Sequence, residues 1–305
     1  MSKVYAKNSV QPRGGFLPIK KFEKQFFECE KELHPDENLK PVTMSAIIDN
    51  SCKLALGCNL EKIFESSREG LKQYLKNPYR DMRAEEDFSE MLQQLSPDVT
   101  LDMLEIVCKL SVYQTMGKAG ISDRLISVQN VCPTEDTLEN LMIMVDRTKE
   151  FFKAQTKIIN CNECILTEDA FIMIKGIKSS PNTTQTWQLM LDWMLMCMKD
   201  ERAKSIHKLV IFNPRINVAY FISVDEISET IANLARIEAE FQLDEAKRQE
   251  AQKKSSRNLF LWQFIQSWWI WLLQTKKMEV NELNTQQRNK KQHNSKNHYT
   301  ISSSR

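Results

Sequence analysis

Ile165-Leu166-Thr167-Glu168-Asp169-Ala170-Phe171-Ile172-Met173-Ile174-Lys175-Gly176-Ile177-Lys178 is the stretch on which the reading of this chain turns. Two apolar runs flank a short polar one, Thr167-Glu168-Asp169. Apolar runs of this length bounded by turn residues predict strands, and so tight a pair predicts a hairpin. Lys157-Ile158-Ile159 and Cys164-Ile165-Leu166 supply strand on the upstream side, and Ala170 to Lys175 the second hairpin strand. Gly176, the one glycine beyond residue 120, follows Lys175 directly. Its freedom is expected to let the chain turn away and leave the lysine at the rim of a sheet.

Working outward, Gly176 to Thr183 reads as a loop containing Pro181, and Thr184 to about Met198 as a helix rich in Leu, Met and Trp. Trp187, Trp193, Leu189, Met190, Met194 and Met196 fit a helix buried against a sheet. His207 to Phe212 and Val218 to Val224 read as two more strands, joined by the turn Asn213-Pro214-Arg215-Ile216-Asn217. Asp225 is expected to cap a further helix, increasingly charged, that runs to about Lys254.

Upstream the pattern is helical. Met44, Ile47, Ile48, Cys52 and Leu54–Leu56 give Thr43 to Leu56 an apolar face, with Gly57 closing it. Further helices are expected from Asn59 to Leu75, from Glu85 to Leu95, and from Ser96-Pro97-Asp98 to about Met116. Thr134-Glu135-Asp136 opens another, with Leu138, Leu141, Met142, Val145 and Phe152 on one face. Residues 1–20 read as extended, and 21–41 as a charged stretch broken by Pro35 and Pro41. An all-helical first half leading into helix, hairpin, helix and hairpin predicts an α+β fold with an α/β core, a small mixed sheet flanked by helices.

Composition narrows the chemistry. There are only 7 glycines in 305 residues, and their spacing builds neither G-x-G-x-x-G nor a phosphate loop. Folds that cradle phosphate on glycine turns are therefore excluded. H-E-x-x-H is absent. With 42 basic and 40 acidic residues the net charge is +2, too little to grip nucleic acid by overall charge. Met1 to Lys7 is polar and no apolar stretch follows it, so no secretory signal is expected. The 8 scattered cysteines then suggest reduced thiols and a cytoplasmic protein. Cys161-Asn162-Glu163-Cys164 has no second pair at zinc spacing and reads as two incidental cysteines in or beside a strand.

Residues 155–224 resemble the restriction-endonuclease-like PD-(D/E)XK nuclease superfamily, and most closely its RecB-like members from bacterial mobile elements. That family's core is a helix, a hairpin, a helix and a further strand. One hairpin strand carries an acid; the other carries an acid, one spacer and a lysine; the next helix often carries Gln-x-x-x-Tyr. Lys175 falls on the family lysine, and Gln188, in Thr186-Trp187-Gln188-Leu189-Met190-Leu191-Asp192, on the helix glutamine. The strands around Asn213-Pro214-Arg215 and Arg13-Gly14-Gly15-Phe16-Leu17 near the start have the same character.

What the resemblance implies is Mg²⁺-dependent hydrolysis of DNA phosphodiesters. Two carboxylates hold the ion, which activates water, and the lysine supplies positive charge at the phosphorus. This sequence departs from the pattern where it matters. Met173 replaces the acid two before the lysine, the first acid falls at or near Cys164, and Asp192 stands at the helix tyrosine. The expectation is a nuclease fold with a damaged or rebuilt centre. Lys175 is its charged catalytic group, Gln188 orients water or phosphate, and Glu163 and Asp192 are candidate migrated metal ligands. Lys178 and Arg215 are candidate nucleic-acid contacts. The plain alternatives are a surface lysine at a strand end for Lys175, a polar helix position for Gln188 and a structural turn for Arg215.

The C-terminal quarter is of another kind. Leu259 to Leu273 holds Trp262, Trp268, Trp269 and Trp271 with a narrow stripe of Gln263, Ser267 and Gln274, and lysines flank it. Three readings stand: a helix packed on this protein or a partner, a helix on an anionic membrane surface, and a short span. Lys276 to Arg305 has seven basic and two acidic residues with almost no apolar content, the composition of a disordered basic tail. The expected organisation is a helical region over 1–133, an α+β core over 134–243, a charged helix end over 244–257, a Trp-rich amphipathic helix over 258–275 and a tail over 276–305. DNA, a protein partner and a peripheral membrane contact are the partners this allows. A noncatalytic interaction protein in a complex or at a membrane is the competing class.

Overall fold

Strands β4 (Ala170–Ile174) and β5 (Lys208–Asn213) run parallel, and the helix that connects them, α7 (Thr183–Cys197), determines the layering. A parallel pair needs a crossover, and the crossover helix must lie on one face of the sheet. The computed structural model describes residues 15–28, 31–76, 81–119, 131–155, 157–161, 164–248 and 251–252. Within them lies a six-stranded mixed sheet of order β1-β6-β5-β4-β3-β2. Its remaining strands are β1 (Glu23–Phe26), β2 (Ile158–Cys161), β3 (Ile165–Thr167) and β6 (Val218–Ser223), and every pairing except β4–β5 is antiparallel. The fold is α+β.

Helices α1 (Pro41–Ala55), α2 (Leu60–Ile63), α3 (Glu65–Tyr74), α4 (Ala84–Gln93), α5 (Leu101–Ala119) and α6 (Glu135–Lys153) precede the β2–β4 meander. Alternation along the strands sorts the side chains between faces. Ile165, Ile172, Ile174, Val210, Phe212 and Ala219 join the core built by α1, α5 and α6. Phe151 of α6 stacks on Phe212 with ring centroids 4.1 Å apart, and Phe27 meets both rings edge-on. The alternate residues, among them Leu166, Phe171, Met173 and Ile211, face the α7 layer and are also buried.

Local chemistry explains the element ends. Gly57, at φ 70°, closes α1: its N–H bonds to the Leu54 carbonyl and that of Cys58 to Lys53, a Schellman pattern. Thr134 caps α6, and Asn38 Oδ1 accepts from Thr134 N and from the Thr137 hydroxyl, which pins the 31–40 segment to that helix start. Asn182 and Gln185 form a reciprocal capping box on α7. Thr167 Oγ1 accepts from Ala170 N at 3.1 Å and shapes the β3–β4 turn.

Four expectations are corrected. Residues 21–41 were to be a broken charged stretch, yet Glu23–Phe26 is a strand on the edge of the sheet, so residues 1–133 contribute to the same sheet as the later core. Residues 1–242 form one unit and 243–305 a second. The helix from Ser96 begins instead at Leu101, where the Thr100 hydroxyl accepts from Met103 N. Asp225 lies in a 3-10 turn capped by Ser223, and the helix that follows, α8, starts at residue 229; it is helical over 229–248 and again at 251–252 among the described residues. The cysteines are not all reduced: Cys58 and Cys161 form a disulfide whose Cα atoms lie 5.5 Å apart. Cys52, Cys108, Cys132 and Cys197 are free thiols, and the Cys164 thiol is hydrogen-bonded.

Candidate functional site

Strand alternation builds the centre from β4 outward. Met173 and Lys175 share the α7 face, because Ile172 and Ile174 are committed to the opposite core. Lys175 N donates to Phe212 O at 2.9 Å, which extends the β4–β5 pairing one residue beyond the strand. Its half-buried side chain has no hydrogen-bond or ion-pair partner among the described residues. The chain turns at Gly176 as expected, the Ile177 N–H bonding to the Lys175 carbonyl at 3.1 Å, and the glycine has a second role. A Cβ there would meet Ile48 Cδ1 at 2.3 Å and Cγ2 at 2.8 Å, so the glycine lets α1 pack directly on the backbone.

On α7, Gln188 and Asp192 are one turn apart and share a face. Gln188 Nε2 donates to Asp192 Oδ1 at 2.8 Å, and the Cys164 thiol donates to Asp192 Oδ2 at 3.8 Å. Cys164 is buried directly before β3, so the carboxylate of α7 is joined across the layer to that strand. The residue beside it, Glu163, lies outside the described residues.

The donor set can be tested against Mg²⁺. That ion takes about six hard oxygens near 2.0–2.1 Å in octahedral array. The described side chains here are one carboxylate, one amide, a thiol and the Met173 thioether, and soft sulfur is a poor magnesium ligand. Among the described residues no three His, Cys, Asp or Glu side chains converge as a metal group. The described donors therefore do not fit Mg²⁺.

Arg215 is placed differently from a phosphate ligand. Its Nη1 lies 2.7 Å from Glu37 Oε2, and the two side chains are only 9% and 7% exposed. The β5–β6 turn holds it there: Asn213 Oδ1 accepts from Arg215 N, and Arg147 donates to the carbonyls of Pro214 and Arg215. This replaces the expectation of a nucleic-acid contact with that of a buried structural pair. Lys178 is 73% exposed, with its Nζ 4.0 Å from the same Glu37 oxygen.

Sequence reasoning missed the contribution of β1 to this face. Lys24 Nζ sits 5.8 Å from the centre of the Tyr220 ring, and Phe26 two residues on is exposed. The available signal was Phe22-Glu23-Lys24-Gln25-Phe26-Phe27, three aromatics in six residues, a strand-like composition. The Trp-rich segment and the basic tail lie outside the described residues. Among the described residues no helix is long and apolar enough to cross a membrane. Comparison of the chain with family models, with curated proteins and with solved structures finds no match.

Proposed function

We propose that this is a nuclease-like, nucleic-acid-binding protein of the PD-(D/E)XK type whose phosphodiester-hydrolysing centre is weak or inactive. The observation that carries the reading is the arrangement of Lys175, Met173 and the Cys164–Asp192–Gln188 set on one side of a mixed sheet. The order α6, β2–β3–β4, α7, β5 supports it, being the helix, hairpin, helix and strand that the resemblance implies. Lys175 brings a positive charge suited to a phosphate, and the Gln188 amide, held by Asp192, is the group that would orient a phosphate or a water. With Met173 where the family has an acid, the described residues of the centre bring one carboxylate, Asp192, and not the pair that would hold Mg²⁺. Binding then outlasts cleavage.

The test is a cleavage assay on single- and double-stranded DNA with Mg²⁺ and with Mn²⁺, run beside binding at low salt. The reading expects bound DNA, with cleavage slow or absent and any that occurs abolished in Lys175→Ala. Vigorous cleavage, cleavage indifferent to that substitution, or no binding at all would each reject it.

A second reading is favoured by α8. Leu234, Ile237 and Phe241 are exposed at spacings of three and four, while Ala235 and Ala239 on the same helix are fully buried. Large apolar side chains facing outward with small ones inward suit attachment to a protein complex. Pull-down with Phe241→Glu as the control distinguishes this, because that change leaves nucleic-acid binding intact.

A further inference from the structure

The register of the sheet extends the candidate site to the opposite edge. Met173 pairs with Ile211, Ile211 with Tyr220, and Tyr220 with Lys24. One step along, Asn213 pairs with Val218 and Val218 with Phe26, in line with Lys175 at the end of β4. Alternation therefore places Lys24, Phe26 and Lys175 on one face of the sheet, with β1 and β4 separated by about 14 Å, three strand spacings.

The loop after Lys175 covers the strip between. Asn213 Nδ2 donates to the Ile177 carbonyl at 2.8 Å, and the Tyr220 hydroxyl bonds to Ser180 Oγ at 3.1 Å. That loop carries the exposed Lys178 across the middle of the strip. At the β1 end, Lys20 and Lys21 are exposed in the turn before the strand. The turn is anchored to α7 by the Thr186 hydroxyl on the Leu17 carbonyl and by Phe16 against Trp187. Lys20, Lys21 and Lys24 have no ion-pair partner among the described residues, whereas Lys72, Lys153 and Lys204 are paired with neighbouring acids. Glu23, the acid inside β1, belongs to the opposite face.

Phe26 is 74% exposed in the midst of these charges. An aromatic ring held on a rigid strand beside three exposed lysines without an ion-pair partner among the described residues has the composition of a platform for unpaired bases, with ammonium groups for phosphates. We propose that Lys20, Lys21, Lys24, Phe26 and Lys178 form a track for single-stranded nucleic acid that enters at the β1 edge and leads to Lys175. This rests on the nucleic-acid reading above but not on cleavage, and apart from Lys178 it assigns residues that the resemblance does not touch.

The experiment uses the full-length chain, fluorescein-labelled oligo(dT) of twenty nucleotides, and anisotropy in EDTA over a salt series. Phe26→Ala is expected to weaken binding about tenfold, since stacking on one aromatic contributes on that order. Lys20→Ala/Lys21→Ala/Lys24→Ala should also weaken it, and should make the plot of log affinity against log salt shallower by about 2, one lost phosphate contact at a time. All four side chains are exposed, and unchanged thermal unfolding of both variants verifies folding. Wild-type affinity and slope in both variants would overturn the track and move binding elsewhere, to the basic tail for instance. A preference for a duplex of the same length that Phe26→Ala leaves unchanged would also overturn it. Cleavage assays do not enter: an inactive protein that binds through Phe26 supports the track, and an active one that ignores Phe26 defeats it.

Discussion

Glu37 Oε2 and Arg215 Nη1 lie 2.7 Å apart with both side chains under a tenth exposed, an ion pair that fastens the 31–40 segment to the β5–β6 turn. Removing one partner of such a pair strands the other charge away from water. Arg215→Ala should therefore lower the unfolding free energy by about 3–5 kcal/mol in urea. Glu37→Met/Arg215→Met should be much milder, because it strands nothing. A stable Arg215→Ala protein that has lost only nucleic-acid affinity would return Arg215 to the interface.

Cys58 and Cys161 close a loop of 103 residues between the turn after α1 and the edge strand β2. Restricting so long a loop in the unfolded chain stabilises the fold by about 2–4 kcal/mol. Dithiothreitol should lower the denaturation midpoint of the wild type and leave Cys58→Ser unmoved. Alkylation of both cysteines in the native, unreduced protein would contradict the bond.

Two glycines are predicted to differ in tolerance. A Cβ at Gly70 would strike the Tyr113 carbonyl oxygen at 1.7 Å, which is backbone of the closely packed α5. At Gly176 it would strike the end of the Ile48 side chain, which can be shortened. Gly176→Ala should cost about 1–3 kcal/mol, as overpacking does. Ile48→Val should recover part of this in a double-mutant cycle. Gly70→Ala should cost more, with no comparable rescue from a side-chain change. Additivity of Gly176→Ala and Ile48→Val would refute the contact.

Burial pushes the Cys52 thiol from 9.0 up to about 12, partly offset by its hydrogen bond with Thr148, and burial likewise raises Cys108 to about 12. Burial also raises the Tyr113 hydroxyl. Each folded-state value lies above its unfolded one, so folding favours the protonated form. For the two thiols that stabilisation is complete below pH 9 and is lost as pH rises through 9 towards 12. Melting temperatures should fall over that range, with a shallower slope in Cys52→Ala. An identical slope in that variant would exclude the thiol as a contributor.

Most of the helices, the five strands β2 to β6 and the crossover order could be read along the chain because their causes are local. Apolar spacing marks α1 and α6, Gly57 and Thr134 mark their ends, and the polar run at Thr167-Glu168-Asp169 marks the hairpin turn. That Lys175 shares a face with Met173, and Gln188 with Asp192, was also legible, because strand period and helix period fix which residues share a face. Other features depended on segments far apart in sequence. Glu23–Phe26 is a strand because β6 offers it an edge nearly 200 residues later, and nothing in Lys20-Lys21-Phe22-Glu23 announces that edge. Arg215 looks like any loop arginine until Glu37 closes on it from 178 residues away. Cys161 looks incidental until Cys58 arrives beside it. Gly176 reads as a turn residue, and its close approach to Ile48 shows only when α1 is laid against it. Periodicity and capping are properties of neighbours in the chain, so sequence alone determined them. Pairing, burial and close approach are properties of neighbours in space, and only the packed α1, α7 and β1 decided those.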